Sequence, residues 1–170
     1  MKREQNRGEK AWKECKTLRS IAGFFEFVIM INMILWIWFP IPELNWIIDS
    51  NIWVGIIICI MMIVPCVIIM ALGVISAGKE TLEPSKETEM YGEIYKYIRH
   101  PQTLGEFPIF VALAFAFNSW FLVIFMAAWI IIYIPIMIHY EERDLTLRFR
   151  EPYKEYQKRT GALFPKIRKK

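Results

Sequence analysis

The chain has 170 residues, 55% hydrophobic, 15% aromatic and 22% charged, with 21 Lys and Arg against 17 Asp and Glu. Its length fits one domain, yet Ser50–Gly78 and Phe107–Tyr140, runs of 29 and 34 residues, contain no charge at all, and a bilayer crossing needs only about 20 apolar residues. A soluble globular domain and a disordered chain are thereby excluded, and a disulfide-stapled secreted domain is excluded because 3 cysteines are too few and Cys59 and Cys66 sit in apolar sequence.

In chain order, residues 1–20 form a basic segment, and Ser20–Pro42 is apolar apart from Glu26, which predicts a first span near Ile21–Phe39. That stretch is longer than the roughly 7–15 residues of a signal-peptide core and no small-residue cleavage site follows it, so it is expected to remain in the mature protein. A second span is predicted near Ile52–Ile75, with Pro65 close to its middle. The third apolar tract, Gln102–Tyr140, suits two spans joined at Asn118, Ser119 and Trp120, since Asn and Ser favour a turn and Trp an interface. The first of these, Gln102–Phe117, is short, about 24 Å at ~1.5 Å per residue. Beyond it, Leu145, Phe149, Tyr153 and Tyr156 lie among charges, which predicts a broken amphipathic helix whose second piece starts at Pro152.

The cations test this count. Seven precede the first span (Lys2, Arg3, Arg7, Lys10, Lys13, Lys16, Arg19), four lie between the second and third (Lys79, Lys86, Lys96, Arg99), and ten follow the fourth. Neither remaining connection contains one, and only an even number of spans with both termini cytoplasmic places all of them on one side. The expected architecture is therefore an all-α integral membrane protein of about four transmembrane helices, both termini cytoplasmic, with an amphipathic C-terminal helix. Its parts would be residues 1–20, a first transmembrane hairpin at 21–76 and a catalytic region at 77–170. The net charge of +4 reads as topology and attraction to anionic membrane lipids, and no nucleic-acid partner is expected.

Three polar sets mark the cytoplasmic side. Arg99, His100 and Pro101 open the third span, where free backbone N–H groups favour an anion; on a purely structural helix start the same Arg would snorkel and the same His cap. Glu141 and Glu142, followed by Arg143 and Asp144, are expected to end the fourth span, where carboxylates oppose the helix dipole unless paired or used. Glu26 and Glu106 each lie seven residues beyond an Arg, at a depth where a carboxylate should face the bundle interior. His139 has no second His or Cys at ligand spacing, so no metal is expected, and the cysteines read as packing.

Taken together, Tyr95-Lys96-Tyr97-Ile98-Arg99-His100-Pro101-Gln102-Thr103-Leu104-Gly105-Glu106, the Asn-Ser-Trp turn, Glu141-Glu142-Arg143-Asp144-Leu145 and Tyr153-Lys154-Glu155-Tyr156 with Phe164-Pro165 resemble one family. It is the isoprenylcysteine carboxyl methyltransferase and phospholipid methyltransferase superfamily of integral-membrane enzymes. The resemblance runs from about Tyr91 to Pro165. It implies S-adenosylmethionine as cofactor, in a pocket formed by Tyr97, His100, Pro101, Leu104, Gly105, Glu141 and Glu142. Arg99, Glu142 and Arg143 would stand at the reacting groups, Arg99 or Arg143 orienting an acidic headgroup, and a lipophilic substrate would enter from the bilayer. Two positions depart from the pattern: Thr103 stands for the family's Tyr, and Arg150 for a Gly before the tail. A more distant resemblance to membrane sterol and steroid reductases rests on His100-Pro101, Gly105-Glu106 and Tyr153 with Tyr156. It supplies the alternative of an NADPH-dependent reductase; a non-catalytic membrane subunit is the third reading.

Overall fold

The computed structural model describes residues 2–77 and 92–166, residues 2–9 by backbone alone. Lys79, Lys86, Arg168, Lys169 and Lys170 of the cation count lie outside the described residues, as does most of the polar connection after Ala77. Five α-helices follow in order: α1 (Lys2–Trp36), α2 (Ile52–Ala77), α3 (Pro101–Ala116), α4 (Trp120–Phe149) and α5 (Glu151–Arg159), with 3-10 turns at Pro42–Leu44 and Glu93–Lys96. No strand is present among the described residues, only isolated bridges between Ile47 and Ser119 and between Ile98 and Gly161.

The basic segment and the first apolar stretch are one continuous helix, because Lys, Glu, Arg and Leu propagate a helix as readily in water as apolar residues do in lipid. It ends at Trp36, three residues before the expected limit, ahead of Pro40 and Pro42. α4 requires a correction in the other direction. The sequence predicts its end at Glu141 and Glu142, but the helix runs to Phe149, so both carboxylates lie more than a turn inside it and do not face the dipole at its end. Hydropathy marks where a helix leaves lipid, not where it unwinds. The extra turns persist because Leu145 is buried and Asp144 pairs with Arg148 one turn on. The break falls at Arg150, whose φ of 55° is a conformation that glycine takes without strain, with Pro152 in the first turn of α5.

Among the described residues, three helices are long and apolar enough to cross a membrane: α1 from Lys10, α2 and α4. α3, at 16 residues, is shorter. Phe24, Phe27, Met61, Ile75 and Ile131 are each more than half exposed, as apolar side chains facing lipid are. Since apolar area gives no drive for helices to associate within lipid, close packing must do so. α2 and α3 cross so tightly that a Cβ at Gly55 would stand 2.2 Å from the Phe115 carbonyl oxygen, and one at Gly105 would stand 2.5 Å from that of Cys66. α1 leans on α4, and α4 on α3. Ala22, Phe107, Tyr133, Ile134 and Met137 fill one core layer, and Met33, Ala114, Leu122, Val123 and Met126 another.

At the end distant from the cations the two hairpin connections clasp each other. Trp120 N–H donates to the Trp46 carbonyl at 2.8 Å, and Ile48 N–H to that of Asn118 at 3.3 Å. The Asn118 side chain donates to the Asp49 carbonyl at 2.8 Å and accepts from Asp49 N–H at 3.2 Å, while Ser119 caps α4 by accepting from Leu122 N–H. This end is shut.

Candidate active site

The opposite end is built around the start of α3. Residues 98–100 run beside the segment after α5, with Arg99 N–H bonded to the Gly161 carbonyl at 2.9 Å and His100 N–H to that of Ala162 at 3.0 Å. α5 docks because Tyr153 and Tyr156 are buried against Leu145 and Phe149, and the Tyr156 hydroxyl donates to the Tyr95 carbonyl at 2.6 Å. Arg99 staples the three elements. Its Nε donates to Glu142 Oε1 at 2.8 Å, its Nη2 lies 2.6 Å from the same oxygen, and its Nη1 donates to the carbonyls of Gln157 and Thr160.

His100 is 5% exposed and bridges the two carboxylates, Nδ1 3.3 Å from Glu141 Oε2 and Nε2 3.2 Å from Glu142 Oε1. Both ring nitrogens can donate only in the imidazolium form. Burial opposes that charge, but the hydrogen bonds and charges of Glu141 and Glu142 outweigh it, and the pKa rises from 6.5 to about 8. The remaining carboxylate oxygens are also engaged: Glu141 Oε1 takes Arg19 at 2.5 Å, and Glu142 Oε2 takes Gln157 at 2.9 Å. Burial pushes Tyr95 up to about 12 and Tyr153 well above the ordinary range, so both phenols stay protonated.

Beside this cluster α1, α3, α4 and α5 enclose a cavity of about 880 Å³. Of the residues the sequence assigns to the pocket or the reacting groups, Arg99, His100, Pro101 and Glu141 line it, as do the acids Glu26, Glu106 and Asp144 of the polar sets. Five others do not. Glu142 stands behind His100, held by Arg99 and Gln157; Arg143, half exposed, pairs with Glu14 at 3.1 Å; Tyr97 is 65% exposed. Leu104 is outside the lining, and Gly105 is occupied with the α2 crossing. Thr103, where the resembled family has a Tyr, is buried in the cavity wall. Arg150, the other departure, sits where a glycine conformation is required.

Trp12, Cys15, Arg19 and Arg148 also line the cavity and belong to none of the sequence motifs; with Glu26 on α1 and with Glu141 and Asp144 on α4 they recur at three, four or seven residues along one helix face. That polar stripe was the available signal. Glu26 and Glu106 face the same cavity from α1 and α3, deeper along the helices, and neither carboxyl has an ion-pair or hydrogen-bond partner among the described residues. Nearer the charged end, Asp144 and Tyr153 are each 2% exposed, yet Asp144 Oδ1, Arg148 Nε and the Tyr153 hydroxyl have no hydrogen-bond partner. Buried polar atoms are seldom left so.

Comparison with known proteins gives this geometry a context. Residues 50–151 match the family model described as phospholipid methyltransferase. The chain is 27% identical over 160 residues to a methanethiol S-methyltransferase of Pseudomonas deceptionensis, covering 83% of this chain and 57% of that one. It is 36% identical over 88 residues to methanethiol S-methyltransferase 1 of Bradyrhizobium diazoefficiens, covering 52% of this chain and 29% of that one. It thus spans little more than half the length of the first relative and less than a third of the second. No solved structure matches. With a family match over more than half its length and three helices able to cross a membrane, the chain belongs to the phospholipid methyltransferase family of integral-membrane proteins.

Proposed function

We propose that this chain is an S-adenosylmethionine-dependent methyltransferase acting on a lipophilic acceptor that reaches the cavity from the bilayer. The observation that carries the reading is the cavity itself, which joins a charged end at His100, Glu141, Asp144 and Arg148 to a membrane-depth end at Phe107, Met137, Glu26 and Glu106. A water-soluble cofactor is served by the first and an apolar acceptor by the second. The charged end fits such a cofactor because it holds buried polar atoms without partners. S-adenosylmethionine supplies a methyl group on a sulfonium whose leaving group departs neutral, so the work left to the protein is alignment and exclusion of water.

The residues divide that work. Arg99 and Glu142 fix the start of α3 against α4 and α5, and His100 locks Glu141 beside the cavity. Glu26 and Glu106 face the acceptor end, while Ala22, Phe107 and Met137 keep it apolar. α1 is packed on α4, and its contact with α2 is slight at most, which leaves a lateral way in from lipid. In this reading α3 is a fourth, short crossing, and the one-sided cations place the charged end in the cytoplasm. Within the family the acceptor chemistry ranges over prenylated cysteine and lipid headgroups, and the names of the relatives add small thiols.

Calorimetric titration of the detergent-solubilised chain with S-adenosylmethionine and S-adenosylhomocysteine tests the cofactor. Transfer of a radiolabelled methyl group into a panel of lipids, prenylated peptides and small thiols tests the acceptor. Saturable heat and a labelled product are expected. Absence of both heat and thermal stabilisation at millimolar cofactor would sink the reading.

A further inference from the structure

The sequence leads one to expect an anion at the start of α3, against Arg99 and His100. In the structure most of the hydrogen-bonding capacity of those two residues is already used. Every guanidinium nitrogen of Arg99 is engaged by Glu142, Gln157 or Thr160, and both ring nitrogens of His100 face glutamates. The unspent hydrogen-bonding capacity lies one turn further along α4. There Arg148 pairs with Asp144 through one nitrogen and one oxygen, leaving Arg148 Nε, a donor, and Asp144 Oδ1, an acceptor, without partners in the cavity wall. Asp144 is 2% exposed, so water cannot readily satisfy it.

We propose that the Asp144–Arg148 pair is the subsite for the zwitterionic α-amino acid end of the methyl donor, a proposal that rests on the methyltransferase reading above. The chemistry selects the ligand. An anion would find Arg148 Nε but meet the Asp144 carboxylate; a cation would find Asp144 Oδ1 but leave Arg148 Nε orphaned. A group carrying an ammonium beside a carboxylate satisfies both atoms, and the pair itself is neutral, so a ligand end of zero net charge adds no unbalanced charge to a buried place. The ammonium donates to Asp144 Oδ1 and the carboxylate accepts from Arg148 Nε, two charge-assisted bonds.

The test compares two probes on the same detergent-solubilised protein. S-adenosylhomocysteine carries the amino acid end, whereas 5′-methylthioadenosine lacks it. The wild-type chain is expected to bind the first about tenfold or more tighter. Asp144→Asn, which keeps the shape, is expected to weaken S-adenosylhomocysteine by about tenfold or more while leaving methylthioadenosine unchanged. Arg148→Lys keeps the cation but removes the Nε donor, and the same selective loss is expected from it should Asp144→Asn fail to fold. Equal weakening of both probes, or equal wild-type affinity for both, overturns the subsite with the methyltransferase reading intact. Wild-type protein that binds neither probe overturns both.

Discussion

The two ends of the helix bundle solve the same problem by opposite means. At the closed end, polar backbone left by two short connections is satisfied by the other connection's backbone, one Asn side chain and one Ser cap, with no ion pair. At the charged end, Arg19, Arg99, His100, Glu141 and Glu142 satisfy one another around a cavity, and the network stops short at Asp144, Arg148 and Tyr153. A neutral clasp holds helices together with nothing left over. A charged network can be built with vacant valences, and those are what a ligand reads.

The largest blow to this contrast is expected from Arg99→Ala. It strips Glu142 and two tail carbonyls of their partner at once, and removing one side of a buried ion pair costs about 3–5 kcal/mol. Thermal unfolding in detergent should show a large loss and the tail should become open to proteolysis; an unchanged midpoint would refute the staple.

A smaller effect, about 2 kcal/mol, belongs to His100, whose pKa rises from 6.5 to about 8 on folding. A raised folded-state pKa gives stability that is complete below about pH 6.5 and is lost as pH climbs through about 8. The midpoint of the wild-type chain should therefore fall between pH 6.5 and 8.5, and His100→Gln should flatten that limb. A wild-type profile without the fall would break the bridge between the glutamates. The smallest expected effect lies at the closed end: Ser119→Ala removes one long cap bond and should cost about 0.5 kcal/mol without altering cofactor binding. A change in cofactor affinity there would mean that the two ends are coupled.

Much of the scaffold is legible in the chain because lipid imposes it. Uncharged runs give the helices, and Asn118-Ser119-Trp120 gives the turn between α3 and α4 to within one residue, the connection being residues 117–119. The spacing from His100 to Glu141 also emerges, since a hairpin with so tight a turn returns the chain to the depth at which it started. What stays hidden depends on helix faces and partners. Trp12 and Arg19 enter the cavity only because α1 leans on α4. Gly105 looks like a place for a ligand to approach, but close approach of α2 demands glycine equally, and the sequence does not distinguish the two. Asp144 resembles any charge beyond a membrane until Leu145 and α5 bury its surroundings.

The hold of residues 156–162 on the start of α3 has a consequence for the order of assembly. Tyr156 to Tyr95 and Thr160 to Arg99 are contacts between residues 61 positions apart. During synthesis α3 and α4 can form before those partners exist, so formation of the helices and completion of the cavity are separate events. An inserted chain whose tail has not yet docked is a membrane protein without a rim to its site. Closure of so long a loop is slower than the addition of a residue to a growing helix, a step of about nanoseconds. Competence to bind thus reports that the tail has docked, and a nascent or clipped chain would be silent in the membrane.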